Sequence, residues 1–200
     1  MGLTFKVTDT REFENAPEGQ YVGTVCKIID KGTQPKMFKG VENGKGRQLQ
    51  INFELADLRK PTNKMKSGEP FVINTSVNIS SHKRSTFIKI LSAALGTEAF
   101  NTALASRQEL KIKDLLGKSI AFVVKHNKTD KATYVNIENS SIAELQPGVI
   151  APKLFNKKEF LSLEGDEFNP SAYKELSEKQ LEYISKSPEY LLCVGKTIEY

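Results

Sequence analysis

The chain has 200 residues, enough for one domain with an appendage or for two small domains. Apolar residues make up 38% and charged residues 26%, which excludes a disordered chain, and no apolar run approaches the roughly 18 residues of a membrane span. The net charge is +5 but unevenly spread: residues 1–150 hold 22 Lys and Arg against 15 Asp and Glu, and residues 151–200 hold 7 against 9. A basic body points to a polyanionic partner, because each lysine beside a phosphate releases condensed counterions. Cys26 and Cys193 lie far apart in apolar stretches and read as free thiols of a reducing compartment. The opening Met1–Lys6 lacks the shape of a signal peptide, so a cytoplasmic protein is expected.

Alternation with a period of two dominates the first two thirds. Tyr21–Asp30 is rich in β-branched residues and stops at the turn signal Lys31-Gly32. In Arg47–Leu55, Leu49, Ile51, Phe53 and Leu55 share one face and Gln48, Gln50, Asn52 and Glu54 the other. Phe71–Ile79 repeats the pattern, with Asn74, Ser76 and Asn78 on the polar side. Strands of this kind have one buried and one wet face. From Lys83 to Leu95 the spacing becomes helical through Phe87, Ile88, Leu91, Ala94 and Leu95, with Ser80 or Ser81 as cap and Gly96 past the end. A weaker helix follows over Glu98–Ala105, then strands Ser119–His126 and Ala132–Asn139 around the polar turn 127–131. Three strands, a helix and two strands is the element order of the five-stranded Greek-key barrel that binds oligonucleotides and oligosaccharides. The expectation is a mainly β protein with added helices: a closed or nearly closed barrel over residues 1–148, a helix between strands three and four, and a helical C-terminal extension over 149–200. Gln146-Pro147-Gly148 marks the boundary. Beyond it Asn169-Pro170 opens a helix running to about Lys186, Ser187-Pro188 repeats the device, and the extension is expected to dock.

No catalytic constellation emerges. The two histidines, His82 and His126, have no Cys or carboxylate at ligand spacing. The glycines of the segment 39–46 match neither nucleotide-binding fingerprint, and Glu164–Glu167 reads as a solvated acidic loop. A non-enzyme without cofactor or metal is expected.

Binding chemistry is better represented. The segment 32–46 carries Lys36, Lys39 and Lys45 around Met37 and Phe38, with Arg47 following. Cations interleaved with an aromatic suit a single strand, the cations meeting the backbone and the ring a base. In a barrel of this class that loop, the turn between the last two strands and the outer face of strands two and three form the ligand groove. The turn adds Lys125, Lys128 and Lys131, with Tyr134 beyond, and the outer face adds Gln50, Asn52, Asn74 and Asn78. The 33–47 loop is expected to be mobile until a ligand orders it. Lys60, Lys64 and Lys66 read as a solvated loop, while Lys83 and Arg84 sit at a helix start where the dipole opposes cations.

Several short stretches resemble a family. They are Pro17-Glu18-Gly19-Gln20-Tyr21, Gly32-Thr33-Gln34, Ser80-Ser81-His82-Lys83-Arg84-Ser85 before a helix ended by Leu95-Gly96, Asp114-Leu115-Leu116-Gly117-Lys118, Val123-Val124-Lys125-His126 and Tyr134-Val135-Asn136-Ile137. Together they resemble bacteriophage-encoded single-stranded-DNA-binding proteins of the oligonucleotide-binding class, over about residues 1–148. The resemblance implies a protein of the host cytoplasm that coats single-stranded DNA during phage replication or recombination, with replication or recombination proteins, or a second copy of the chain, as further partners. Residues 150–200 fall outside it. Two rivals stay open at this point: a barrel that docks on a replication or host protein, and an enzyme subunit whose barrel only presents substrate. DNA against RNA, strand polarity and oligomeric state are not written in the sequence.

Overall fold

A computed structural model describes residues 14–38, 40–57, 64–130, 132–151 and 153–197. Lys39, Lys60 and Lys131 lie outside these residues, as does the side chain of Phe38. The described chain is a mainly antiparallel sheet with five helices. Its strands are β1 (Gly19–Phe38), β2 (Val41–Ala56), β3 (Val72–Asn78), β4 (Ser119–Lys128), β5 (Thr133–Ile137) and β6 (Glu159–Leu161), in the order β3-β2-β1-β4-β5 with β6 parallel to β1. Helices α1 (Thr86–Leu95) and α2 (Thr97–Ala105) lie between β3 and β4 in the chain. Helices α3 (Pro170–Lys174), α4 (Glu178–Ile184) and α5 (Pro188–Thr197) follow β6. No helix among the described residues is long and apolar enough to cross a membrane.

Two expectations need correction. The sheet is not closed by hydrogen bonds, since no ladder joins β3 to β5 among the described residues. Side chains fill that seam instead: Val77 of β3 and Val135 and Ile137 of β5 belong to one apolar cluster. And the segment 33–47 is not a loop. Thr33, Gln34 and Pro35 pair with Arg47, Gly46 and Lys45, and Met37 and Phe38 pair with Glu42 and Val41, so β1 and β2 run on as a two-stranded ribbon.

What makes the ribbon compatible with the sheet is a set of bulges in β1, between Val25 and Lys27, Asp30 and Thr33, and Pro35 and Met37. A bulge adds a residue on one strand and bends it. The first lets Val25 and Ile28 both enter the main core, which a strict two-residue period would forbid, and sends Ile29 to the opposite face. The second uses Gly32, whose φ of +69° is open to glycine and strained for other residues. A Cβ there would also collide with Ser187, which is fully buried against it.

The main core is built from Val25, Ile28, Leu49, Ile51, Phe53, Ile73, Ile120, Phe122 and Val124, with Phe53 and Phe122 edge to face at 5.3 Å between centroids. Helix α1 closes it with Phe87, Ile90 and Leu91, each contributing about 1.5–3 kcal/mol by leaving water. Ile88 is only half-buried, and the cap is Ser85, whose Oγ accepts from Ile88 N at 3.2 Å, in place of Ser80 or Ser81. A second core lies on the other face of β1, where Ile29 meets Leu161, Leu163, Tyr173 and Ile184. The helix expected from Asn169 to Lys186 is split in two: Ser177 and Gln180 form a reciprocal capping box that starts α4 afresh.

Candidate nucleic-acid interface

The outer face of β2 and β3 presents Gln48, Gln50 and Asn52 directly opposite Asn78, Ser76 and Asn74. The C-terminal segment covers the β2 half of it. Tyr183 Oη donates to Gln48 Oε1 at 3.2 Å, and Gln180 Nε2 donates to Gln50 Oε1 at 3.2 Å. Gln50 Nε2 in turn donates to Asn52 Oδ1 at 3.0 Å, and the Glu54 carboxylate accepts from the backbone of Phe155 and Asn156. Gln50 is therefore buried and spent within the protein, and its expected place in an open groove is corrected. Asn52 is half-buried beside it, whereas Asn74, Ser76 and Asn78 on β3 face outward beyond that cover, all three exposed.

Arg47 is likewise occupied. Its guanidinium binds the buried Asp30 carboxylate, and Nη1 binds Glu164 Oε1 at 2.7 Å. The hydrogen bond that Arg47 donates to Asp30 pushes its pKa further up, and the guanidinium is held between two internal carboxylates. Lys31 is held nearby, Nζ donating to Ser76 Oγ at 3.1 Å and lying 4.6 Å from the Tyr183 ring centroid; burial lowers its pKa. The Glu189 carboxylate accepts from Thr33 N at 2.8 Å and from the Thr33 hydroxyl.

Burial works against the charge on Glu189, but the Thr33 donors outweigh it and hold the pKa below the ordinary 4.5. A carboxylate depressed in the folded state stabilises it above that ordinary value and stops doing so as pH falls through the lower one. The protection of Thr33 N–H relative to its intrinsic exchange rate is accordingly expected to fall on acidification below about pH 4.5, and Glu189→Gln to abolish that dependence. A Thr33 amide with the same pH profile in both chains would refute this.

Other residues remain available to a ligand. Lys36 and Lys45 lie on the ribbon, Lys45 exposed and opposite Pro35, with Met37 63% and Val41 69% exposed near its tip. Across the sheet, Asn127 pairs with Tyr134 and Lys125 with Asn136 in the β4–β5 hairpin. Tyr134 is 54% exposed, Lys128 ends β4 in solvent, and Lys125 forms an ion pair with Glu138 at 2.8 Å. Among the described residues no group of three or more His, Cys, Asp or Glu is placed to hold a metal ion.

Two of the expected residues, Lys36 and Asn78, share an open cleft of about 440 Å³ between the ribbon, β3 and the start of α1. His82 and Arg84 line it too, with Ser76, Ser80 and Ser85. Sequence reading missed His82 as a contributor. The available signal was the Lys83-Arg84 pair at a helix start, where cations are unfavourable without an anion. No protein-family model matches the chain, and no curated protein matches it either.

Proposed function

We propose that the chain is a non-enzymatic protein that binds single-stranded DNA with little sequence preference, in the manner of an oligonucleotide-binding barrel serving phage replication or recombination. The observation that carries the reading is the meeting of the ribbon cation Lys36 with the outward polar row of β3, Ser76 and Asn78, in one open cleft. Supporting it are the strand order β3-β2-β1-β4-β5, a helix that closes the core between β3 and β4, and a second exposed aromatic and cationic surface at Tyr134 and Lys128. The strand would run along the ribbon and the β3 side, because the β2 side is occupied by the chain's own C-terminal segment.

Titration of a fluorescent oligothymidine at two salt concentrations tests this. Binding should weaken with salt, and Lys36→Ala and Lys45→Ala should each flatten the log-affinity against log-salt slope by about 0.7. Tyr134→Ala should cost about 1–3 kcal/mol at either salt, since stacking releases few ions. Absence of binding at low salt would favour a different reading, a module that docks on a protein. That rival rests on exposed Ile150 and Phe155, at 85% and 67%, just before β6.

A further inference from the structure

The cleft at the foot of the ribbon has a composition unlike its neighbours. Its ten lining residues include Lys36, His82 and Arg84, and the rest are hydroxyl, amide or apolar; none is acidic. The clefts between α1 and α2 and along β1 and β4 both contain Glu144. Lys27, Arg47, Lys113, Lys125 and Lys186 each pair with a carboxylate, whereas among the described residues Lys36 and Arg84 have no such partner. Two unneutralised cations in one concave, acid-free site create a field that only an anion satisfies.

The site is also built. Ser85 N donates to His82 O at 2.8 Å, Ser85 Oγ to Ser80 O at 3.2 Å, and His82 N to Ser80 Oγ at 3.2 Å, so the turn that carries His82 and Arg84 is already ordered. Arg84 N donates to His82 Nδ1 at 3.2 Å. A nitrogen that accepts cannot carry the proton, so the neutral ring holds it on Nε2, as a donor. On the opposite wall the Lys36 side chain lies across Gly46, where a Cβ would displace its terminal carbon and ammonium. Glycine at 46 leaves that side chain room to lie there. The floor is Val77 and Phe87, both buried.

We propose that this cleft is a phosphate-binding site that seats one nucleotide unit of a single strand, with Lys36 and Arg84 neutralising the phosphate and His82 Nε2, Ser80 and Asn78 completing its hydrogen bonds. It rests on the single-strand reading and deepens it by naming where a backbone phosphate is gripped. The volume of about 440 Å³ falls in the range that holds a small ligand. A phosphate there is either the terminal group of a strand or an internal diester, and the two are separable by experiment.

The full-length chain with labelled histidine and backbone is titrated by NMR with dTMP, inorganic phosphate and thymidine. dTMP and phosphate should shift the His82 ring and the amides of residues 80–86, and thymidine should not. Arg84→Gln should weaken dTMP about tenfold or more, as loss of a charge-assisted pair predicts. Gly46→Ala should weaken it as well, although it removes no charge, while Lys174→Ala, at an exposed lysine of α3, should leave it unchanged. An oligothymidine whose 5′-phosphate improves affinity in the parent but not in Arg84→Gln places a terminal phosphate in the cleft. Equal weakening of both oligonucleotides by Arg84→Gln places an internal diester there. Oligothymidine binding with the parent salt slope in Arg84→Gln, and no His82 shift with dTMP, overturns the cleft and leaves the single-strand reading standing. His82 shifts with dTMP but no oligothymidine binding at low salt overturns the single-strand reading and leaves the phosphate site standing.

Discussion

Tyr173→Ala is expected to lower the unfolding free energy by about 3–5 kcal/mol, the usual loss when a large aromatic is removed from a packed interior. Tyr173 is fully buried and is the largest side chain at the centre of the second core, where its ring lies 5.5 Å from Phe168 and 6.0 Å from Tyr190 between centroids. Its hydroxyl donates to Asp30 O at 2.9 Å, and burial pushes the phenol pKa up, so it stays a donor at every ordinary pH. Tyr173→Phe separates the two contributions: it keeps the ring and should cost only about 1 kcal/mol. Urea unfolding gives both values from the midpoint and slope. A loss below about 1 kcal/mol for Tyr173→Ala would mean that the C-terminal helices do not contribute to the cooperative unit.

Asp30→Asn should be comparably damaging, at about 3 kcal/mol. The Asp30 carboxylate is almost fully buried and accepts from Arg47, from Gly32 N at 2.9 Å and from Leu163 N at 3.3 Å. Asparagine keeps an oxygen for the backbone donors but turns amide hydrogens toward the guanidinium, leaving a half-buried cation with only the exposed Glu164 as counter-charge. If the unpaired cation is the cause, Arg47→Met added to Asp30→Asn should recover about 1 kcal/mol or more, since replacing both charges is far cheaper than removing one. Equal stability of the single and double variants would place the loss on the backbone donors instead.

Much of the sheet was legible because Leu49, Ile51, Phe53 and Leu55, or Ile73 and Val77, leave the period of a strand with one buried face. The ribbon was hidden by the residues that build it. Gly32 at a bulge, and Gly40 and Gly44 near the tip with φ of +80° and +74°, carry the composition of a loop while the backbone between them pairs. The amides of β2 misled for another reason. Gln48 and Gln50 look the same whether water or Tyr183 and Gln180 satisfy them, so a polar face records what it can bond and not with whom. Nor does the sequence reveal that Arg47 is already paired, because Asp30 and Glu164 lie 17 and 117 residues away. The break between α3 and α4 was written plainly in Ser177-Glu178-Lys179-Gln180 and was outweighed by the strong helix start at Asn169-Pro170, from which a single helix to Lys186 was expected.

The polar seam between β2 and the C-terminal helices has a consequence in time. Asp30 waits for Leu163, 133 residues later in the chain, so at roughly 5–20 residues per second about 7–27 s separate their synthesis. The strands of the first core are all made once Ile137 is added, which leaves about 1–5 s for that core to assemble before Leu163 arrives. Its outer face meanwhile meets water through Gln48, Gln50 and Asn52, which hydrate without penalty and expose no stretch for another nascent chain to adhere to. An aliphatic seam would bind the helices more tightly and leave a sticky sheet during the wait. Joining by amides is expected to keep the early half from aggregating until the late half arrives.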